Sequence, residues 1–137
     1  MFPDDLTTEV LTTSLAGLNA RNTALANNIA NAETPGYKRM DVSFEGALAD
    51  AVQKDRARLA AGPGSAMNQF DTGVSSNVDD VAPNVTSVDT TTVRVDGSNV
   101  DPDDEMAKLS ANALAHQTVV SLLDKRFGQF MTAITGR

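Results

Sequence analysis

The side chains that most often perform chemistry are few in this chain of 137 residues, which has one histidine, His116, and no cysteine. Without cysteine there is no disulfide, thiolate zinc ligand, catalytic thiol or iron–sulfur ligand. His116 lies in an apolar run at helical spacing, and no partner pattern for acid–base catalysis accompanies it. Phosphate-binding glycine loops, zinc-protease motifs, serine-hydrolase elbows and dinucleotide fingerprints are missing from the sequence. We therefore predict no catalytic residue and no cofactor site.

One acidic run, from Asp96 to Glu105, suggests a metal ion, namely calcium. A calcium loop of the EF-hand type that starts at Asp96 needs an oxygen ligand at its fifth position and glycine at its sixth. Val100 and Asp101 occupy those positions instead. A turn followed by a helix explains the same acids, with Asp101 as N-cap and Pro102 in the first helical position. We therefore predict no metal site in this run.

The formal net charge of −7 arises from one internal segment. Residues 79–105 contain eight acids and one arginine, whereas the two ends together are balanced. Such a chain lacks the basic face that binds nucleic-acid phosphates. No stretch approaches the ~20 apolar residues of a membrane span, and the acidic start does not resemble a signal peptide. We expect no nucleic-acid partner, no membrane insertion and no cleaved signal, and much of the excess acid should face solvent or a partner.

Two long amphipathic helices are predicted near the ends, over residues 6–32 and 102–135. In each, seam residues recur at alternating spacings of three and four. The N-terminal seam consists of Leu11, Leu15, Leu18, Asn22, Leu25, Ile29 and Ala32. The C-terminal seam consists of Met106, Leu109, Ala113, His116, Val120, Leu123, Phe127, Phe130 and Ile134. The predicted fold class is mainly α, with the two helices pairing as an antiparallel, coiled-coil-like hairpin.

The remaining segments complete a single predicted domain of residues 1–137. A turn is expected over 33–42, a shorter helix over 43–60, a variable loop over 61–100, and the C-terminal helical segment over 101–137. Pro35 and Gly36 suit the centre of a type II turn, with Gly36 at positive φ. Within the loop, the alternation at 91–95 favours a small hairpin with 84–88.

Two registers fit the pairing of the seams. In the first, Leu11 meets Phe127 and the polar residues Asn22 and His116 face each other, which fixes the register at a cost in stability. A shift by one heptad fits the spacing equally well and places each polar residue opposite an apolar one. The sequence leaves both registers open.

Some small and apolar residues lie where one helix pair leaves them uncovered. On the first helix, Gly17 and several alanines form a small-residue surface that permits close approach. On the second, Val119, Leu122 and Met131 lie off the seam. Exposed apolar surface of this kind marks partner surfaces, so the pattern indicates assembly rather than catalysis.

Residues 25–39, LANNIANAETPGYKR, form a specific motif with an Asn-rich helix end, a Thr-Pro-Gly-aromatic turn and a following basic residue. This motif closely resembles the N-terminal signature of bacterial flagellar basal-body rod and hook proteins. The segments 96–101, 105–109, 112–114 and 122–127 are most similar to those of proximal rod proteins, although His116 stands where tyrosine is usual. The motif residues are Asn28, Ile29, Ala30, Asn31, Thr34, Pro35, Gly36, Tyr37 and Lys38.

The resemblance implies a structural subunit with no enzymatic activity and no cofactor. Such subunits leave the cell through the flagellar type III export apparatus without a cleaved signal peptide. They assemble in the periplasm with other rod proteins, the ring–rod junction protein and the membrane-ring protein. Head-to-tail contacts then build the helical rod that transmits torque for motility. Another rod subunit of the family and a small helical secretion chaperone or adaptor are the alternative interpretations.

The uncovered apolar faces also predict whether the terminal helices are ordered in the isolated chain. Terminal helices with uncovered apolar faces should be frayed before assembly and should become ordered on it. The alternative is a helical hairpin that is already closed in the monomer.

Overall fold

The computed structural model describes residues 6–60, 77–89 and 97–136. Its elements are α1 (Leu6–Ala30), β1 (Met40–Ser43), α2 (Glu45–Ala60), β2 (Asn84–Ser87) and α3 (Pro102–Thr135). The fold is mainly α, with a shorter helix between two long helices that pack together, as the sequence predicts. None of these helices carries an apolar stretch long enough to cross a bilayer within the described residues.

Both ends of α3 have the local chemistry that starts and stops a helix. Asp101 has an extended backbone, and its carboxylate accepts a hydrogen bond from the backbone N–H of Asp103 at 3.1 Å. Pro102 occupies the start of the helix, where no N–H is needed. At the other end, Gly136 adopts a φ of 68° and donates its N–H to the carbonyl of Thr132. The predicted N-cap is confirmed.

The small sheet joins distant parts of the chain. β1 and β2 are antiparallel, with Met40 opposite Ser87 and Ser43 opposite Asn84. β1 therefore lies within the segment that the sequence predicts to be a turn. The partner predicted for the β2 region, residues 91–95, lies outside the described residues, and among the described residues β2 pairs with β1. Val42 anchors β1 to the core, because its side chain is buried there. Every residue of β2 is exposed, so β2 is held mainly by its pairing with β1.

The core is small and mostly aliphatic. It forms where α1, β1, α2 and the turn at residues 77–80 meet, and α1 is the element that contacts most of the others. Between α1 and α3 the same cluster continues through half-buried side chains, including Val10, Ala115 and Val119. The buried cluster consists of Leu18, Ala24, Val42, Phe44, Leu48, Ala51 and Val78.

Gly17 is the point of closest approach between α1 and the β1–α2 connection. A Cβ atom placed on Gly17 would lie 2.5 Å from Cγ of Phe44, so the ring lies directly against the helix backbone. The guanidinium of Arg21 lies 5.0 Å from the centre of the same ring and donates to the carbonyl of Val42 at 2.8 Å. Arg21 also pairs with Glu45 at 2.6 Å, and this hydrogen bond lowers the pKa of the Glu45 carboxyl. The glycine thus serves close packing, as the small-residue surface suggests.

Two side-chain hydrogen bonds define the register of the long helices. The side-chain amide of Asn112 donates to the carbonyl of Leu18 at 3.0 Å, and the amide of Asn28 donates to Glu105 at 2.8 Å. Position rises along α1 as it falls along α3, so the pair is antiparallel.

The register that places Asn22 opposite His116 is wrong. Asn22 is exposed to solvent, and His116 is half-buried. The observed pairs lie close to the alternative register, one heptad away. The physical reason is that Asn28, Glu105 and Asn112 are the buried polar groups of this interface, and each needs its partner in place.

The predicted seam residues therefore differ widely in burial. On α3 the buried positions are Glu105 and Asn112, and the predicted seam runs along one edge of that face. Buried seam residues are Leu18, Leu25 and Ala32. Half-buried ones are Leu11, Leu15, Ile29, Leu109, His116, Val120, Leu123 and Phe130. Exposed ones are Asn22, Met106, Ala113, Phe127 and Ile134.

Candidate assembly site

The motif after α1 forms a tight turn that sends the chain back toward the helix. The backbone N–H of Tyr37 donates to the carbonyl of Thr34 at 3.2 Å, and Gly36 adopts a φ of 73°. This geometry fits the predicted type II turn, with Pro35 and Gly36 at its centre. As a result, the residues that follow the turn lie beside the last turns of α1.

Asn28 fastens the returning chain to α1. Its side chain is fully buried, and its amide nitrogen donates to the carbonyl of Met40 and to Glu105, each at 2.8 Å. Its amide oxygen accepts from the backbone N–H of Met40 at 2.8 Å and from the hydroxyl of Tyr37 at 3.3 Å. These bonds use the full hydrogen-bonding capacity of an asparagine side chain. An aspartate of the same shape cannot replace it, because it has no N–H to donate.

Glu105, in the first turn of α3, is a fully buried carboxylate. One oxygen accepts from Asn28, and the other lies 3.3 Å from Arg39 and 3.2 Å from Lys108. The two cations and the amide compensate for the loss of water around the carboxylate. We call Asn28, Tyr37, Arg39, Glu105 and Lys108 the polar junction.

Most described acids of the segment 79–105 are exposed, in agreement with the expectation that much of the excess acid faces solvent or a partner, and Glu105 is the exception. Among the described acidic residues of this segment, only Glu105 is buried, because the first turn of α3 directs it toward α1, where Arg39 and Lys108 lie beside it. The exposed acids of the segment are Asp79, Asp80, Asp89, Asp101, Asp103 and Asp104.

The surroundings of Tyr37 and Lys108 in the polar junction stabilise the protonated form of each group. Burial raises the pKa of Tyr37, and the negative charge of Glu105 raises it further. Burial lowers the pKa of Lys108, but its hydrogen bonds to Asp104 and Glu105 outweigh burial, so the pKa lies above its ordinary value. At neutral pH, Tyr37 keeps the proton that it donates to Asn28, and Lys108 keeps its charge.

The segment just before α3 is tied to the same place. Lys38 donates to the carbonyl of Gly97 at 2.9 Å, and the backbone N–H of Arg39 donates to the side chain of Asn99 at 2.7 Å. The side-chain amide of Asn99 donates in turn to the carbonyl of Val88. Ser98, Asn99 and Val100 are buried. The end of the segment predicted as a variable loop is thus a packed connection.

The motif residues have different roles in this arrangement. Asn28, Tyr37 and Lys38 point into the junction or its neighbouring connection. Ile29 and Asn31 are half-buried, and the exposed motif residues are Ala30, Thr34, Pro35 and Gly36.

Sequence reasoning missed four residues that complete the site, namely Arg39, Asn99, Glu105 and Lys108. The sequence pattern accounts for Glu105 only as one of the acids at the start of a helix, a position at which an acid is normally exposed. The signal that it is buried lies in its partners, which are 66 and 77 residues away in the sequence.

The chemistry of the polar junction is that of a structural joint. Its donors and acceptors are bonded to one another, and its carboxylate is neutralised by two cations. Within the described ranges, no group of three acidic or histidine side chains is arranged to hold a metal ion. What the arrangement does is fix α1, the motif and α3 relative to one another.

Comparison with known proteins identifies the chain. Residues 11–38, which comprise most of α1 and the motif, match the family described as flagella basal body rod protein. The flagellar basal body rod protein FlgB of Bacillus subtilis (strain 168) is 31% identical over 130 residues, covering 95% of this chain and 94% of that protein. The chain belongs to the FlgB family of flagellar basal body rod proteins.

Other FlgB relatives agree. FlgB of Cereibacter sphaeroides is 36% identical over 121 residues, covering 85% of this chain and 84% of the relative. FlgB of Borrelia hermsii is 32% identical over 113 residues, covering 80% and 82%. As a FlgB-family member, the protein is a structural component of the flagellar basal body rod and not an enzyme. These matches favour a rod subunit over a secretion chaperone or adaptor.

Proposed function

We propose that the protein is a subunit of the proximal rod of the flagellar basal body, where it assembles into the helical shaft that transmits torque for motility. The observation that carries the proposal is the similarity to FlgB over nearly the whole chain, including both long helices. A single domain of residues 1–137 accounts for this continuous match.

The geometry supports a load-bearing structural role. Two buried hydrogen bonds, from Asn28 to Glu105 in the polar junction and from Asn112 to the carbonyl of Leu18, fix the register of α1 and α3, so the pair resists sliding. Meanwhile α3 exposes large apolar side chains, among them Leu122, Met131 and Ile134. A chain that is fixed internally and apolar externally suits assembly with many copies.

The proposal extends to partners and route. Other rod proteins, the ring–rod junction protein and the membrane-ring protein would contact the subunit in the periplasm. The flagellar export apparatus would carry it there without removal of a signal peptide. The balanced charge of the terminal segments supports close packing among like subunits, since it limits mutual repulsion.

The test is genetic and biochemical. Deletion of the gene should abolish motility, and a wild-type copy should restore it. Basal bodies purified from the complemented strain should contain the protein in their rod fraction. A swimming deletion strain, or a protein found only in soluble one-to-one complexes, would contradict the proposal and favour a chaperone or adaptor.

A further inference from the structure

Helix α3 is buried mainly through polar side chains. All of α3 lies within the described residues, and its buried side chains are those of Glu105 and Asn112. Its contacts with the buried apolar cluster come from Ala115 and Val119, which are only half-buried. Because apolar burial is the main source of cohesion in a folded chain, α3 is held less firmly than its length suggests.

Helix α1, in contrast, is part of the buried core. Leu18 belongs to the buried cluster together with residues of β1 and α2. The ring of Phe44 lies directly against the backbone of Gly17. Arg21 donates to the carbonyl of Val42 at 2.8 Å. None of these contacts involves α3, so they are retained when α3 moves away.

The side of the polar junction that lies outside α3 keeps most of its bonds without Glu105. Asn28 loses one of its hydrogen bonds, but its amide nitrogen and oxygen both remain bonded to the backbone of Met40. Arg39 loses Glu105 but keeps a carboxylate nearby, that of Asp41 at 3.5 Å. Separation of buried polar groups is costly chiefly when it leaves them without partners, and here the remaining partners limit that cost.

The side of the interface that belongs to α3 is equally self-sufficient. Glu105 keeps its ion pair with Lys108, which lies on the same helix at 3.2 Å. Once α3 is released, water reaches the carboxylate of Glu105 and the amide of Asn112. The group that Asn112 leaves behind is the carbonyl of Leu18, which lies inside α1 and also accepts the hydrogen bond of its own helix.

A hinge position lies at Asp101, directly before α3. Asp101 is exposed, and its backbone is extended rather than helical. The connection before it is fastened elsewhere, because Lys38 donates to the carbonyl of Gly97. Asn99 is fastened as well, since it accepts from the backbone N–H of Arg39. Small changes in the Asp101 backbone therefore redirect the whole helix and leave the connection in place.

We propose that α3 opens as a unit about Asp101 while α1, β1 and α2 stay folded, and that Glu105 is the contact that holds α3 closed. The closed form predominates, because opening uncovers half-buried apolar side chains on both long helices. The two helices therefore differ in local stability, although their apolar spacings are similar. This opening is a property of the chain itself and holds whether or not the proposed rod function is correct.

Native-state hydrogen exchange, followed residue by residue by NMR on the full chain, tests the opening. An isolated helix is only marginally stable in water, so α3 exchanges its amide hydrogens once it is released. Amides of residues 106–120 should share one protection factor, at least about tenfold below that of residues 17–28 in α1. Equal protection of the two ranges would overturn the proposal. So would protection that falls steadily along residues 106–120, because that is the pattern of fraying from the C-terminal end.

Glu105→Gln tests the contact that holds α3 closed. Glutamine keeps the shape of the side chain but removes the charge that attracts Arg39. Exchange of residues 106–120 should become about tenfold faster, and exchange of residues 17–28 should be unchanged. Equal acceleration of both ranges, or of neither, would refute the role of Glu105. Complete unfolding of Glu105→Gln would also refute it, because α1, β1 and α2 should fold without this contact.

Glu45→Gln is the matched control. It removes a carboxylate that pairs with an arginine within the α1–α2 part of the fold, since Glu45 lies 2.6 Å from Arg21. This variant should leave the protection of residues 106–120 relative to residues 17–28 no lower than in the wild type. If Glu45→Gln selectively speeds exchange in α3 as Glu105→Gln does, the closing contact is not specific to Glu105 and the proposal is wrong.

Discussion

Replacing Gly17 with alanine tests the packing of α1 against Phe44. In an isolated helix this change stabilises by about 1 kcal/mol, because alanine is the better helix former. Here the added Cβ would lie 2.5–2.6 Å from three atoms of the Phe44 ring. The ring is itself buried and lies beneath the guanidinium of Arg21, so it has little room to move.

The two effects oppose each other, and their sizes decide the sign. Overpacking of a buried contact typically costs about 1–3 kcal/mol, and at this separation we place the cost near the upper end. We therefore expect Gly17→Ala to lower the free energy of unfolding by about 1–2 kcal/mol, after subtracting the helix-propensity gain.

Urea denaturation followed by far-UV circular dichroism measures this change. Gly128→Ala in α3 is the matched control, because a Cβ there meets no atom within 4 Å, and it should stabilise by about 0.5–1 kcal/mol. A Gly17→Ala protein as stable as the Gly128→Ala protein would refute the reasoning. In the double variant Gly17→Ala/Phe44→Leu, the smaller side chain should relieve the clash, so the two changes should cost less together than their sum.

Three further predictions concern the polar junction and the start of α3. Asn28→Asp should lower the free energy of unfolding in urea by about 2–4 kcal/mol, because it removes two hydrogen-bond donors and places a second carboxylate against Glu105. The control variant Asn22→Asp, at an exposed position, should change the free energy of unfolding by less than about 0.5 kcal/mol. Asp101→Ala should cost about 1 kcal/mol by loss of the N-cap, and Asp101→Asn should largely preserve stability. Tyr37 is the only tyrosine, so its absorbance titration should show a pKa above 10.0. Because folding raises the pKa of Tyr37, the stability that Tyr37 contributes is complete below pH 10.0, the pKa of an unperturbed tyrosine, and is lost as the pH rises through the pKa of the folded state. Tyr37→Phe should abolish this loss of stability.

Local patterns in the sequence predicted most of the secondary structure correctly. The three-and-four spacing of apolar residues located both long helices, and the Asp101–Pro102 pair located the start of α3. The Pro35–Gly36 pair likewise predicted a turn whose glycine has positive φ. These features depend on residues close in the chain, so their physics is contained in short stretches of sequence.

The sequence predicts less well which distant segments of the chain pair with each other. Periodicity admits helix registers one heptad apart, and the choice between them depends on which polar groups are buried together. Asn28 with Glu105 and Asn112 with Leu18 make that choice. The partner of β2 is similarly long-range, since the burial of Val42 is what brings β1 into position.

Local residue order is therefore enough to specify the helices, the turn and the rod-protein family. The burial of Glu105 and the role of the motif as a joint between α1 and α3, in contrast, are set by the fold. Those outcomes depend on desolvation and hydrogen-bond satisfaction among groups far apart in the chain. A buried carboxylate is stable only where Asn28, Arg39 and Lys108 converge on it, and folding is what brings them together.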